Sequence, residues 1–294
     1  MVTPLTSNPS ELALKETSIM GIEAKFSFNS RSVGKTILRW AKSRESKAIF
    51  CANSHMLVLA YESLSFRDVF SHADLITLDG KPLVWLVQLK NRLYKAIDHS
   101  VKSKFQIEQI CGRDLMDIVL QDANNENISV GFYGNRTQVL ERLSTQVQKQ
   151  YPDLEIGFAY SPPFRPLTSE ERIRVINSVN KTDTRILFVS LGCPKQEQWI
   201  AESQDRVKSV MIGVGGAFEV LAGIRPKPPA AVQNLGLEWL FRLILEPKRL
   251  IFRNLYYNPK FLYILASRFS TKAVGHIVSR LAAQSFTHGK SPKR

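Results

Sequence analysis

Short apolar runs alternate with longer stretches of helical periodicity along most of the chain. Ala48-Ile49-Phe50-Cys51-Ala52 is the first clear run. It is rich in β-branched and aromatic residues and bounded by polar ones, which predicts a buried strand. Leu75-Ile76-Thr77-Leu78, Ile128-Ser129-Val130-Gly131-Phe132-Tyr133 and the runs at 154–158, 185–191 and 209–214 repeat the pattern. A shorter strand or hairpin arm is predicted over 22–28. Apolar residues at helical spacing predict helices over 30–43, 56–63, 82–89, 115–123 and 169–179, and from 197. Another carries Val139, Leu140, Leu143 and Val147 on one face. Thr168 with Glu171 reads as a capping-box opening. Strands alternating with helices at this spacing predict an α/β fold, Rossmann-like, with a mainly parallel sheet and helices on both faces.

The pattern changes at Arg225-Pro226-Lys227-Pro228-Pro229. Beyond it, 232–245 is amphipathic and aromatic, and 249–269 sets Phe252, Tyr256, Tyr257, Phe261, Tyr263 and Phe269 among Lys and Arg. The chain therefore divides into a polar leader over 1–22, expected to be mobile and without a secretory signal, a catalytic α/β domain over 23–224, and a C-terminal helical appendage over 225–294.

Charge sharpens this division. The net charge is +14, yet from Trp239 onward eleven Lys and Arg face one acid, Glu246. A nearly neutral body with a basic tail points to an anionic surface. Aromatics interleaved with Lys and Arg favour a membrane surface over nucleic acid, for which no module is recognisable. No stretch has the length of a spanning helix. Three widely spaced cysteines (Cys51, Cys111, Cys193) suit a reducing compartment, and no Cys or His pair has metal-ligand spacing.

In a parallel sheet the strand ends share one edge, where ligands bind. That edge gathers Asn53, Asp79, Gly134-Asn135, Gly192-Cys193-Pro194-Lys195-Gln196-Glu197 and Gly213 to Ala217. Glycines admit a ligand close to the backbone, and a helix N-terminus beside Lys195 suits a diphosphate. Asp79, between a strand and a helix, is either an N-cap or a catalytic carboxylate. His55 follows a strand and is a candidate ligand contact, whereas the other histidines read as structural or surface residues. Cys193 lacks an evident His partner for nucleophilic work. Gly213-Val214-Gly215-Gly216-Ala217-Phe218 has Phe218 where a dinucleotide fingerprint needs its third glycine, and no P-loop frame occurs. No cofactor is expected.

Asn53-Ser54-His55, Ala73-Asp74 with Asp79-Gly80, Cys111-Gly112-Arg113-Asp114-Leu115 and Ser161-Pro162-Pro163-Phe164-Arg165 stand in order along the chain. Gly192-Cys193-Pro194-Lys195-Gln196-Glu197-Gln198-Trp199 and Leu235-Gly236-Leu237-Glu238-Trp239 follow. On these motifs the chain resembles the WecG/TagA/CpsF glycosyltransferases, glycosyltransferase family 26, over about residues 26–262. The resemblance implies an inverting, metal-independent hexosyltransferase. It would move N-acetylmannosamine, N-acetylmannosaminuronic acid, glucuronic acid or a similar sugar from a UDP-sugar to a polyprenyl-diphosphate-linked glycan in cell-surface polysaccharide synthesis. It implies a cytoplasmic enzyme, peripheral on the inner membrane face, and suggests a homo-oligomer. Asp79 matches the base and Asn53 an asparagine near the reacting substrates. Gly134, Asn135, Gly192, Pro194, Lys195, Gln196, Glu197 and Gly215 are expected at the UDP-sugar. Arg113, Arg242, Arg249 and Arg253 are expected at the diphosphate or acceptor. Cys51 stands where the family often has Thr, and Gln109 where it has Arg. The alternative is a non-catalytic nucleotide-sugar-binding, membrane-associated protein of the same fold.

Overall fold

The computed structural model describes residues 15–97 and 107–287. Eight strands form one sheet: β1 (Lys15–Ile19), β2 (Ile22–Phe26), β3 (Lys47–Ala52), β4 (Leu75–Leu78), β5 (Val130–Gly134), β6 (Ile156–Tyr160), β7 (Ile186–Ser190) and β8 (Val210–Gly213). Their order is β1-β2-β4-β3-β8-β7-β5-β6. Only β1 and β2 pair antiparallel, and every other pairing is parallel. The central strands are apolar on both faces because helices cover both.

The helices are α1 (Ser30–Lys42), α2 (Ser54–Glu62), α3 (Leu64–Ser71), α4 (Lys81–Ile97), α5 (Gly112–Asn125), α6 (Thr137–Gln150), α7 (Ser169–Lys181), α8 (Lys195–Ser203) and α9 (Ala217–Leu221) in the body. The appendage adds α10 (Ala230–Asn234), α11 (Glu238–Leu245) and α12 (Pro247–Thr287). One core joins Ala48 and Phe50 of β3 and Leu187 and Val189 of β7 to Met56, Phe70, Leu83, Ile176, Ile200 and Phe261. The opposite core joins Ile49, Cys51, Ile186 and Phe188 to Ile37, Leu115, Leu143 and Phe218. Successive strand residues thus serve alternate layers. The Thr168–Glu171 capping box is present at α7.

Three boundaries differ from the sequence reading. The leader was expected to reach residue 22, but β1 and β2 form a hairpin beginning at Lys15; residues 1–14 lie outside the described residues. Its turn, Met20-Gly21, has φ of 55° and 77°, which fits the right-handed twist of a two-residue hairpin. Ile19 and Ile22 are buried beside it. The strand expected at 154–158 runs from Ile156 to Tyr160.

The third difference is in the appendage. The amphipathic run at 232–245 is broken into α10 and α11 by Gly236 at φ +70°. A Cβ there would lie 2.8 Å from Lys81 Cβ and 3.0 Å from Trp85. This turn therefore seats the appendage on the first turns of α4. Gly236→Ala is expected to cost about 1–2 kcal/mol for the left-handed backbone alone, with the clash added. Thermal melting should fall, and proteinase K should open the 225–238 segment. An unchanged melt and digest would contradict this seating.

The other end of the appendage is anchored on α2. Lys260 Nζ lies 2.7 Å from Glu62, and Tyr256 Oη donates to the same carboxylate at 2.8 Å. Phe261 and Ile264 are buried in the first core. Arg225 bridges Glu219 of α9 and Glu246 at the end of α11, at 3.2 and 2.7 Å. Among the described residues no helix is long and apolar enough to cross a membrane.

Candidate active site

The loops after β3 and β4 and the appendage enclose a cavity of about 680 Å³. Asn53, His55 and Asp79 line it from the body, Gln109 from the segment before α5, and Glu238, Arg242, Arg253 and Tyr257 from the appendage. Its outer wall is apolar, with Leu243, Ile251, Leu255 and Leu262. The positions 251, 255 and 262 recur at helical spacing, a signal present in the sequence but hidden among the basic residues.

Asp79 sits one residue before the cap of α4. Val84 N donates to Gly80 O at 3.3 Å, so Gly80 holds the capping position and the N-cap reading of Asp79 does not hold. The Asp79 backbone N–H donates instead to Ala52 O at 2.7 Å, fixing the residue beside the end of β3. Burial raises its carboxyl pKa from 3.8 to about 7. Arg242 and Arg113 oppose that rise, while Glu238 and Asp114 add to it.

Asn53 caps α2, its Oδ1 accepting from Met56 N at 3.1 Å, which leaves its amide N–H₂ as the group it can offer the cavity. His55 packs edge-on against Tyr257, ring centroids 4.2 Å apart. Burial and the nearby Arg253 lower its pKa to about 4, so the imidazole is neutral at physiological pH. His72 is exposed beside Asp68; His99 and His288 lie outside the described residues.

The four candidate arginines separate. Arg242 and Arg253 line the cavity, and among the described residues neither has an ion-pair partner. Arg253 is exposed, yet its guanidinium is partly desolvated. That desolvation and the like charges of Arg249 and Arg242 hold its pKa below the usual value. Arg249 is turned outward onto Glu246. Arg113 is not at the cavity surface: it is 3% exposed and forks onto Asp114 at 2.9 and 3.2 Å.

The loop residues expected at the nucleotide form a belt of their own. Asn135 Nδ2 donates to Ser190 Oγ at 3.3 Å, and Ser190 Oγ donates to Gly215 O at 2.7 Å. Gly215 N donates to Gln196 Oε1 at 3.2 Å, and Gln196 Nε2 to Glu197 Oε1 at 2.7 Å. Gln196 and Glu197 are buried, and Gln196 ties the loops after β7 and β8 together. Gly134 is packed against Ser190. Gly192 and Lys195 are exposed, and Asn135, Pro194 and Gly215 partly so; these make an open shelf at the strand ends. Burial raises the Glu197 carboxyl pKa to about 7. Cys51, at the end of β3, feels the charges of both Asp79 and Glu197, so it marks the junction of cavity and belt. Burial pushes its thiol up to about 12, and Cys193 higher still, which suits neither for nucleophilic attack. Asp74 lies at the opposite edge, where its carboxylate accepts from Ala48 N and Gln204 Nε2.

Among the described residues no group of three or more His, Cys, Asp or Glu is arranged to hold a metal ion. A buried carboxyl near neutral pKa, facing two unpaired arginines, can take a proton while an anionic leaving group departs.

The WecG/TagA/CpsF glycosyl transferase family model matches residues 18–274. The chain belongs to the WecG/TagA/CpsF glycosyltransferase family. It is an enzyme that transfers a hexosyl group, as the family's pattern and its relatives agree. Proteins named N-acetylglucosaminyldiphosphoundecaprenol N-acetyl-beta-D-mannosaminyltransferase, from Staphylococcus aureus strains NCTC 8325 / PS 47, COL and MRSA252, are similar. Each is 29% identical over 226 residues, covering 76% of this chain and 82% of the relative. The family assignment gives the cavity its context: Gln109 and Glu238 face it, which the motifs alone did not indicate.

Proposed function

We propose that this glycosyltransferase moves an N-acetylhexosamine-type sugar from a UDP-sugar to a glycan carried on a polyprenyl diphosphate, with inversion. The observation that carries this reading is the meeting of Asp79 with the unpaired Arg242 and Arg253 in one cavity. The acceptor hydroxyl attacks the anomeric carbon and its proton passes to Asp79. The bond from that carbon to the diphosphate oxygen breaks, and its electron pair leaves with UDP. The arginines meet the charge that grows on the diphosphate, so the step uses protein cations where a metal would otherwise serve. The nucleotide rests on the shelf of Gly192, Lys195 and Gly215, and the acceptor enters along the apolar wall.

The lipid-linked acceptor is supported by that wall and by the printed name of the S. aureus relatives. A surface role for the appendage is supported by its exposed apolar side chains: Ile244 is 70% exposed, Phe252 80% and Tyr263 70%, beside a basic sequence. On this reading the enzyme works at the cytoplasmic face of a membrane, bound peripherally.

The test is UDP release from UDP-N-acetylmannosamine, UDP-N-acetylmannosaminuronic acid and UDP-glucuronic acid. The acceptor is a synthetic polyprenyl-diphosphate N-acetylglucosamine in neutral or anionic vesicles. Release that requires acceptor, with one donor and faster on anionic vesicles, is the expected result. Release without acceptor would make the protein a hydrolase. UDP binding with no release from any pairing would favour the non-catalytic reading.

A further inference from the structure

The cavity holds a second carboxylate that the chemistry above does not use. Glu238, the first residue of α11, faces the same space as Asp79 and is largely buried. Its Oε1 accepts from Gln109 Nε2 at 2.8 Å. Its Oε2 lies 3.8 Å from Arg113 Nη1, close enough for charge pairing and too far for a hydrogen bond. Arg113 spends its Nε and Nη2 on Asp114, and Nη2 also reaches Gln233 Oε1 at 3.3 Å. Its Nη1 has no hydrogen-bond partner among the described residues. A buried guanidinium with a free donor is costly unless an anion faces it. Glu238 supplies that anion from the appendage. Gln233 and Glu238 flank Gly236, so the turn that seats the appendage on α4 also brings both acceptors to Arg113.

We propose that Glu238 is a positioning residue for transfer: gripped by Gln109 and Arg113, it seats α11 so that Arg242 faces Asp79, and it holds a negative charge beside that base. The inference rests on the transfer reading above. Residues 238 and 242 are four apart on one helix and share a face, so what fixes the first directs the second. The charged and titratable groups around Asp79 are Glu238 and Arg242 from α11, Arg113 and Asp114 from α5, His55 from α2, Lys81 from α4, Arg253 and Tyr257 from α12, and the thiols of Cys51 and Cys111. Glu238 is the first of the acids among them to act on Asp79. Arg113, expected at the diphosphate, serves on this reading as the socket for the appendage.

Glu238→Gln keeps an oxygen for Gln109 and removes the charge. In the acceptor-dependent UDP-release assay, the acid limb of kcat/KM is expected to move down by about half to one pH unit, the scale of one screened neighbouring charge. At pH 8 kcat should fall about threefold, as the base weakens while the retained Gln109 contact keeps Arg242 in place. A merely structural role would lower activity without moving the limb. Arg113→Lys, alone and combined with Glu238→Gln, adds a readout independent of activity. The double variant should melt no lower than the worse single variant, because both break one contact. An unmoved acid limb, or melting losses that add in full, would overturn the proposal. Absence of acceptor-dependent release in the wild type would instead remove the transfer reading, and the melting cycle would then decide the Glu238–Arg113 contact by itself.

Discussion

Asp79→Asn is expected to lower acceptor-dependent transfer by about 10²–10⁴-fold, the usual contribution of a positioned general base. UDP binding should survive, because the shelf of Gly192, Lys195 and Gly215 lies outside the cavity that Asp79 lines. The wild-type rate should carry the signature of the same group. With its carboxyl pKa raised to about 7, the base is ionised only above that value. Rate should therefore rise roughly tenfold per pH unit below about 7 and level off above it, and the variant should lack that limb. Stability moves the other way. A carboxyl whose folded pKa exceeds its unfolded value of 3.8 favours the folded state fully below the unfolded pKa. That contribution is lost as pH rises through about 7. Asparagine removes this loss, so the variant should melt at or above the wild type at pH 8. Calorimetry and UDP titration read both quantities on one preparation. A variant that keeps near-normal turnover would remove Asp79 from the mechanism, and one that melts lower at pH 8 would restore a structural role.

Removal of the cavity arginines ranks next. Arg242→Gln or Arg253→Gln should each lower kcat by about 10²–10³-fold, as for loss of one donor aimed at developing charge. Together they should lose less than the product, since both act on one diphosphate. The expectation comes from their pairing state. Neither has an ion-pair partner among the described residues, so each is free to meet an anion. Arg249 is the internal control: it already engages Glu246 outside the cavity, and Arg249→Gln should change kcat only a few-fold. Steady-state kinetics at saturating donor separates the terms. A rise in KM with kcat unchanged would mean that the arginines hold the ground state and do not favour departure of UDP.

The sheet was legible because its central strands are buried on both faces, which leaves uninterrupted apolar runs such as Ala48 to Ala52 and Ile186 to Val189. The first strand was not. Lys-Glu-Thr-Ser-Ile at 15–19 is polar, as an edge strand can be, and Met20-Gly21 is a weak turn signal. Asp79 was legible from its place at a strand end, but only the hydrogen bond onto Gly80 separates it from a helix cap. The inward turn of Gln196 and Glu197 was not legible, for a physical reason. Polar residues in a strand-end loop suggest a ligand, yet here Gln196 accepts from Gly215 N of the neighbouring loop and donates to Glu197 from inside. The burial of Arg113 was not legible either: its neighbour Asp114 occupies two of its donors. Glu238 was visible within a motif, but its role depends on a break at Gly236 that amphipathic periodicity does not reveal.

Strand order also divides the sheet between two runs of chain. The strands β2, β4 and β3 come from residues 22–78, and β8, β7, β5 and β6 from 130–213. They meet along one seam, where Lys47, Ala48, Ile49 and Phe50 pair with Val210, Met211, Ile212 and Gly213. The Asp79 cavity hangs on the first run with the appendage, and the belt through Asn135, Ser190 and Gly215 hangs on the second. The strands that lead to the two regions meet directly at that seam. On the proposed reading, substitutions along the belt bear first on the nucleotide and those in the cavity on the diphosphate and acceptor, so one scaffold can acquire new sugar pairings by halves.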